Sequence, residues 1–420
     1  MQGRVSDEMC ALARELLGLP KRQLFVTSAP TDLSFVLTMP GEFDLAGLTC
    51  PEIPPAKNVA LQKGDYFAYL AQHDLLLALP YQSINPFVDL LYEAADDPDV
   101  VSIKITLYRL AGSSRIAAAL AYAAEHGKQV QCLLELRARF DEQSNIDYSR
   151  MLEDAGCGIL YGLTKYKVHT KLCLITRRCP GGICYYTQVG TGNYNEKTAE
   201  QYTDLMLLTS DPAIGRDAAK TFDRLARGET VGETEALWLA PEGYKPQLMA
   251  HIEAQTRLGP EGGTEVELFV RGICCLRPGV PGRTEHISVR SIIGRYLEHE
   301  RIFVFGRGEA QEVFIGSGDL LERNTMRRIE AFTAMTDPSA RAEVLEVLSA
   351  MRRDNRQAWI MQPDGSYLRP EGAGEPFVSQ AYLHTYFAGR TVEKPAPPAP
   401  PQPRKKLPWW RRLWIWLKNN

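Results

Sequence analysis

The chain carries one pattern twice, and that doubling restricts the folds open to it. The run V-H-T-K-L-C-L-I puts His169 and Lys171 at the head of an apolar stretch, and G-T-G-N-Y-N follows from Gly190. Further on, L-E-H-E-R-I-F-V-F puts His299 and Arg301 in the same relation, and G-S-G-D follows from Gly316. Residues two apart in a strand face one side, so each half would present an imidazole and a cation together. Two related halves closing over one site are the expected result. A lone histidine at a strand start is ordinarily a satisfied structural residue. Two of them, each with a cation and a glycine turn, point to chemistry on phosphate. An imidazole with a pKa of about 6.5 offers a neutral nucleophile at neutral pH. The glycines permit close backbone approach to phosphate, with Asn193 as a side-chain donor.

Strand and helix patterns alternate from Leu61 to Gly228. V-V-S-I-K-I-T-L-Y alternates as a strand does, an Ala-rich helix spans Ile116 to His126, and V-Q-C-L-L-E-L forms the next strand. This spacing predicts a mostly parallel α/β sheet with ligands at the strand C-terminal ends. Arg109 and Arg139 lie at two such ends, near Lys104 and Arg137, where guanidinium forks suit phosphate. Asp141 and Glu142 fit a helix cap, or a group that holds an arginine or a metal. Tyr202 and Asp204 fit nucleotide contact or simple packing. Arg323, Asn324, Arg327 and Arg328 fit extra anion contacts or an exposed helix face.

The domains expected are a remnant or linker over 1–56 and catalytic α/β units over 57–228 and 229–390. A proline-rich basic linker over 391–408 and a tryptophan-rich tail over 409–420 would follow. In the second unit V-E-L-F-V (ending at Arg271), R-I-F-V-F and E-V-F-I-G read as strands, and I-S-V-R-S-I-I-G-R-Y-L has helical spacing. The tail holds four of the six tryptophans beside Arg411, Arg412 and Lys418. As a helix it would be amphipathic and basic, fitted to an anionic membrane surface, to another protein, or to a polyanion.

Composition excludes little but sets limits. A formal net charge of −3 argues against bulk nucleic-acid binding, so any anion site must be a local cluster of cations. Nine cysteines without a paired framework predict reduced thiols, as in the cytoplasm, and Cys179 and Cys184 bracket a hairpin turn rather than half a zinc site. No apolar run reaches the roughly 18 residues that span a bilayer.

Over residues 60–370 the sequence resembles the C-terminal catalytic half of the family-1 polyphosphate kinases. The resemblance rests on I-K-I-T-L-Y-R, E-L-R-A-R-F-D-E, K-V-H-T-K, G-T-G-N-Y-N-E-K-T-A-E-Q-Y-T-D, V-R-G-I-C-C-L-R-P-G-V and Y-L-E-H-E-R-I. It implies two phospholipase-D-like α/β domains packed around one active site. His169 would be the histidine phosphorylated in turnover, and His299 the second active-site histidine. Arg109 and Arg139 would belong to a magnesium–phosphate site, and Tyr202 and Arg271 would contact nucleotide. The family carries an N-terminal domain and a complete head domain ahead of this region, and the chain starts near the end of the head. The family usually shows histidines where Ala78 and Leu79 stand.

The expected activity is reversible transfer of the ATP terminal phosphate to inorganic polyphosphate, with Mg²⁺, by a cytoplasmic homo-oligomer. His169, His299 and Lys171 would be catalytic, while Tyr202, Arg271, Asn193 and Arg301 would bind substrate. A phospholipase-D-like phosphodiesterase is one alternative, and a truncated polyphosphate-binding paralogue without catalysis is the other.

Overall fold

The computed structural model describes residues 3–29, 32–37, 39–43, 45, 47–57, 59–108, 110, 113–135, 142–258, 265–370 and 374–392. The expected tail and most of the proline-rich linker therefore lie outside the described residues, as do Arg109, Arg137, Arg139 and Asp141. The chain forms two units, Met1–Pro54 and Pro55–Asn420. In the first, the helix Asp7–Leu17 begins at Ser6, whose Oγ accepts the Met9 N–H at 3.3 Å. It stops at Gly18, where φ of 62° favours a residue without a Cβ.

The second unit is built on a large mixed sheet. Its strands are β1 (Leu75–Leu79), β2 (Val100–Leu107), β3 (Gln129–Leu134), β4 (Gly158–Tyr161), β6 (Leu172–Cys179), β7 (Gly182–Gly190) and β8 (Tyr202–Thr209), with the two-residue β5 (Lys167–Val168) lying outside it. The order is β1-β8-β7-β6-β2-β3-β4. Only β2-β3-β4 run parallel along this path; β1-β8, β8-β7, β7-β6 and β6-β2 are antiparallel. The expectation of a mostly parallel sheet is thus corrected. Parallel neighbours need helical crossovers, which join β2 to β3 at Arg115–Glu125 and β3 to β4 at Glu142–Asp154, whereas a tight turn joins β6 to β7. That hairpin also corrects the expectation of reduced cysteines throughout. It brings Cys179 and Cys184 to a Cα separation of 6.0 Å, and they are disulfide-bonded.

Helices Asn85–Asp96 and Arg115–Glu125 cover one face of the sheet through Phe87, Leu91, Ile116 and Leu120, all buried against Ile103, Ile105 and Leu134. Burying such side chains stabilises a fold by roughly 1.5–3 kcal/mol each before entropy is counted. Part of the opposite face carries the helix Pro212–Ala226, whose Ile214, Ala218 and Phe222 pack on Leu172, Leu174 and Val189.

The later strands are β9 (Leu237–Leu239), β10 (Val266–Phe269), β11 (Ile287–Ile292), β12 (Leu297–Glu298), β13 (Arg301–Phe305), β14 (Glu312–Gly316), β15 (Arg328–Ile329), β16 (Ala331–Ala334), β17 (Ala358–Met361) and β18 (Tyr367–Leu368). They form the sheets β13-β14-β16-β9 and β10-β11-β17-β18. The stretch expected to be helical is instead β11 followed by β12. Its β-branched Ile287, Val289 and Ile292 suit a strand paired on both edges, parallel to β10 and antiparallel to β17. Two short parallel ladders tie the halves together: β5 pairs with β15, and β12 pairs with β8.

Candidate active site

Those two ladders build the site. Val168 pairs with Ile329, so the next residues, His169 and Glu330, emerge side by side, and the His169 N–H donates to Ile329 O at 3.0 Å. Glu298 pairs with Thr203, so His299 and Asp204 emerge in the same way. His169 Nδ1 lies 2.9 Å from Glu330 Oε2, and His299 Nδ1 lies 2.9 Å from Asp204 Oδ1. Each imidazole therefore meets a carboxylate from the other half of the chain. A carboxylate accepts only, so Nδ1 of the neutral His169 carries the proton and its Nε2 keeps a lone pair.

The repeat extends to the glycine turns. Thr191 Oγ1 donates to Asp204 Oδ1 at 2.6 Å across thirteen residues, and Ser317 Oγ donates to Glu330 Oε2 at 2.6 Å across the same thirteen. These hydroxyls also accept the N–H groups of Leu205 and Ala331. The carboxylates leave no room for a side chain at Gly192 and only a tight fit at Gly318. A Cβ on Gly192 would sit 2.1 Å from Asp204 Oδ2, and one on Gly318 would sit 3.1 Å from Glu330 Cγ.

The cations fold back on their own histidines. Lys171 Nζ donates to His169 O, and Arg301 Nη1 donates to His299 O at 2.5 Å. Lys171 is 1% exposed and lies within electrostatic reach of Glu330, Arg301 and Asp204, so the two histidine turns share one site. Arg301 Nε also donates to Asp319 Oδ1 at 2.8 Å. Arg328 Nη1 is 3.8 Å from Glu330 Oε1, and Asn324 Nδ2 donates to the same oxygen at 2.7 Å. Each imidazole has an aromatic neighbour, Tyr108 at 5.0 Å from His169 and Tyr202 at 5.1 Å from His299, centroid to centroid.

Burial lowers the His169 pKa to about 3; Glu330 opposes this, and Lys171 and Arg328 assist it. Burial likewise lowers the Lys171 ammonium to about 7. Burial would raise Glu330, but His169, Lys171 and Ser317 outweigh it and hold the carboxyl below its usual range. Asp204 is held low in the same sense, with His299, Thr191 and Arg301 outweighing burial. The site thus holds a neutral, partly enclosed imidazole beside Lys171 and the guanidinium of Arg328, an arrangement suited to nucleophilic attack on a phosphorus with charge stabilised on its oxygens.

Residues 65–230 match the family described as polyphosphate kinase C-terminal domain 1, and residues 246–380 match polyphosphate kinase C-terminal domain 2. The chain belongs to the polyphosphate kinase family. The polyphosphate kinase of Rhodopirellula baltica is 38% identical over 405 residues, covering 89% of this chain and 48% of the relative. That of Streptomyces coelicolor is 41% identical over 411 residues, covering 86% and 54%. The crystal structure of the polyphosphate kinase of Porphyromonas gingivalis superposes with a TM-score of 0.79 at 29% identity, over 92% of this chain and 64% of that one. The chain spans about half the length of the curated relatives it matches.

Within this polyphosphate kinase fold, His169, Lys171, His299, Arg301 and Tyr202 come together. Arg271 is exposed yet near enough to Asp319 to lower its carboxyl further, alongside the stronger pull of Arg301 against burial. Asn193 Oδ1 is buried and has no hydrogen-bond partner among the described residues. Lys104 points elsewhere, to Asp223 at 3.4 Å on the helix Pro212–Ala226. Glu330, Thr191, Ser317 and Tyr108 were not singled out from the sequence. Glu330 did leave a signal, as a carboxylate within the run I-E-A-F-T-A.

Proposed function

We propose that the chain transfers the terminal phosphoryl group of ATP reversibly to inorganic polyphosphate through a phosphohistidine on His169. The observation that carries this reading is the pair of exchanged imidazole–carboxylate dyads around one buried cation, in a chain of the polyphosphate kinase family. Nε2 of His169 attacks the γ-phosphorus of ATP. The N–P bond forms as the bond to the β–γ bridging oxygen breaks, and its electron pair leaves on ADP. The terminal oxygen of polyphosphate then attacks that phosphorus, and the N–P bond breaks.

Glu330 fixes the imidazole and offsets the charge it acquires on phosphorylation. Lys171 and Arg301 face the oxygens on which negative charge accumulates. His299, its protonated form stabilised by Asp204, hydrogen-bonds the leaving oxygen. Tyr202, Arg271 and Asn193 belong to nucleotide and phosphate binding in this reading.

Mg²⁺ enters as the counter-ion of the phosphates. Among the described residues no cluster of three or more His, Cys, Asp or Glu is arranged to hold a metal. Asp204, Glu330 and Asp319 are each committed to an imidazole or a guanidinium. Arg109 and Arg139 are donors and would grip phosphate, not the ion.

A homo-oligomer in the cytoplasm, held at an anionic membrane surface by the tryptophan-rich tail, completes the proposal. No helix of the described residues is long and apolar enough to cross a membrane.

The test is ATP formation from ADP and long-chain polyphosphate. Activity in the natural sequence and in the surface variant His126→Ala, with loss in His169→Ala, supports the reading. Equal activity in all three overturns it.

A further inference from the structure

Beside the dyads lies a second pair of acids, Glu298 and Glu300, flanking His299. Their carboxyls converge on one hydroxyl. Thr203 Oγ1 is 3.1 Å from Glu298 Oε2 and in hydrogen-bond contact with Glu300 Oε2, and it accepts the His299 N–H at 3.0 Å. The Leu297 carbonyl, at 3.3 Å, is a longer neighbour. A hydroxyl has one hydrogen and two lone pairs. It can donate to one carboxylate only, so the other carboxyl must bring its own proton to use the remaining lone pair.

The surroundings choose which acid holds that proton. Glu298 is enclosed, and its Oε1 accepts from Gln380 Nε2 at 2.6 Å. Glu300 Oε2 also accepts the His299 N–H at 3.0 Å. Burial first, and the Glu300 charge second, hold Glu298 well above the ordinary carboxyl range. Several titratable groups lie near the pair. The Tyr81 phenol is buried, and burial raises it well above its usual range, with Glu298 and Glu300 adding to that. The Tyr296 hydroxyl is bound to His384 Nε2 at 2.6 Å, and Arg295 lies over the Tyr296 ring. The nearby Arg301 is committed to Asp319 and the His299 carbonyl, and Asp204 to His299.

We propose that Glu298 and Glu300 share one proton through Thr203 and so hold the His299 turn in register with Asp204, and that loss of this proton sets the alkaline limit of the phosphoryl transfer proposed above. Glu298 and Glu300 are positioning residues: they touch the turn and not the reacting atoms. When Glu298 ionises, two adjacent, half-buried carboxylates repel and compete for a single hydroxyl hydrogen. The His299 backbone N–H then loses its fixed acceptor geometry, and a misplacement of about 1 Å at a catalytic group costs roughly 10²-fold in rate.

Two readouts on the full chain test this, one of them independent of activity. In infrared difference spectra taken from neutral to alkaline pH, one protonated-carboxyl component of the natural sequence should be absent from Glu298→Gln, while the component from Glu343, which burial raises to about 7, stays in both. Identical spectra from both proteins overturn the proposal, whether or not the chain proves to be a kinase. In the pH profile of kcat, Glu298→Gln, whose amide cannot ionise, should move the alkaline limb up by about one pH unit or more. Coincident limbs overturn it. Should Glu298→Gln fail to fold, Thr203→Ser and Thr203→Val replace it. Serine keeps the limb and valine lowers kcat by roughly 10²-fold; equal values overturn the proposal. Absence of ATP–polyphosphate transfer at every pH in the natural sequence counts against the kinase reading and leaves the infrared result to judge the acid pair.

Discussion

His169 and Glu330 stand 161 residues apart in the chain and 2.9 Å apart in space, on short parallel strands that each half lends to the other. His299 and Asp204 repeat the arrangement in the opposite direction. Neither half can orient its own imidazole.

Glu330→Gln keeps an acceptor for the His169 N–H but removes the charge that, in the proposed mechanism, offsets a phosphorylated imidazole. The expected loss in kcat is roughly 10²–10⁴-fold, with a smaller change in KM. Single-turnover kinetics with ATP check this, because formation of the phosphoenzyme should slow with kcat.

Gly192→Ala should cost more than Gly318→Ala. The first places a methyl 2.1 Å from Asp204 Oδ2, while the second meets Glu330 Cγ at 3.1 Å, which a small shift relieves. Overpacking of this kind costs about 1–3 kcal/mol. Denaturant titration should rank Gly192→Ala as the less stable variant, and its activity should fall further because Asp204 moves.

Acid should destabilise the folded chain partly through His169. The unfolded imidazole takes up a proton near pH 6.5, while the folded one resists until about pH 3. Stability from this group is therefore complete above about pH 6.5 and falls with pH down to about 3. Relative to His169→Gln, the natural sequence should lose stability more steeply across that window in denaturant titrations.

Lys171 gives a sign of its own. With its ammonium lowered to about 7, much of it is neutral at pH 8 in the free protein, and bound phosphate should restore the charge. Polyphosphate binding at pH 8 should take up a proton. Calorimetry in buffers of different ionisation enthalpy measures that uptake, and Lys171→Met should abolish it.

What could be read from the sequence was what depends on local pattern. The alternation of Val100–Leu107 and the Ala-rich helix that follows are set by burial on periodic faces, and both occur as expected. Strand direction is a different matter, because it depends on which distant edges meet. Ile287–Ile292 departs from the expected helix for the same reason: its isoleucines fit either period until β10 and β17 claim the two edges. His169 and His299 stood out as polar groups leading apolar runs. Their partners did not, since nothing local says that Glu330 will face His169 rather than a cation beside it. Asp204, expected to contact nucleotide or to pack, instead meets His299. Arg109 and Arg139 lie outside the described residues, so their place in the site stays a proposal.

The most direct measurement is the position of the phosphoryl group. The protein is incubated with γ-labelled ATP, quenched in base, digested, and its peptides sequenced by mass spectrometry. The account predicts an acid-labile, base-stable adduct on His169, discharged by adding polyphosphate or ADP and lost in His169→Ala. An adduct on another residue, or brisk transfer to polyphosphate with none, would contradict it.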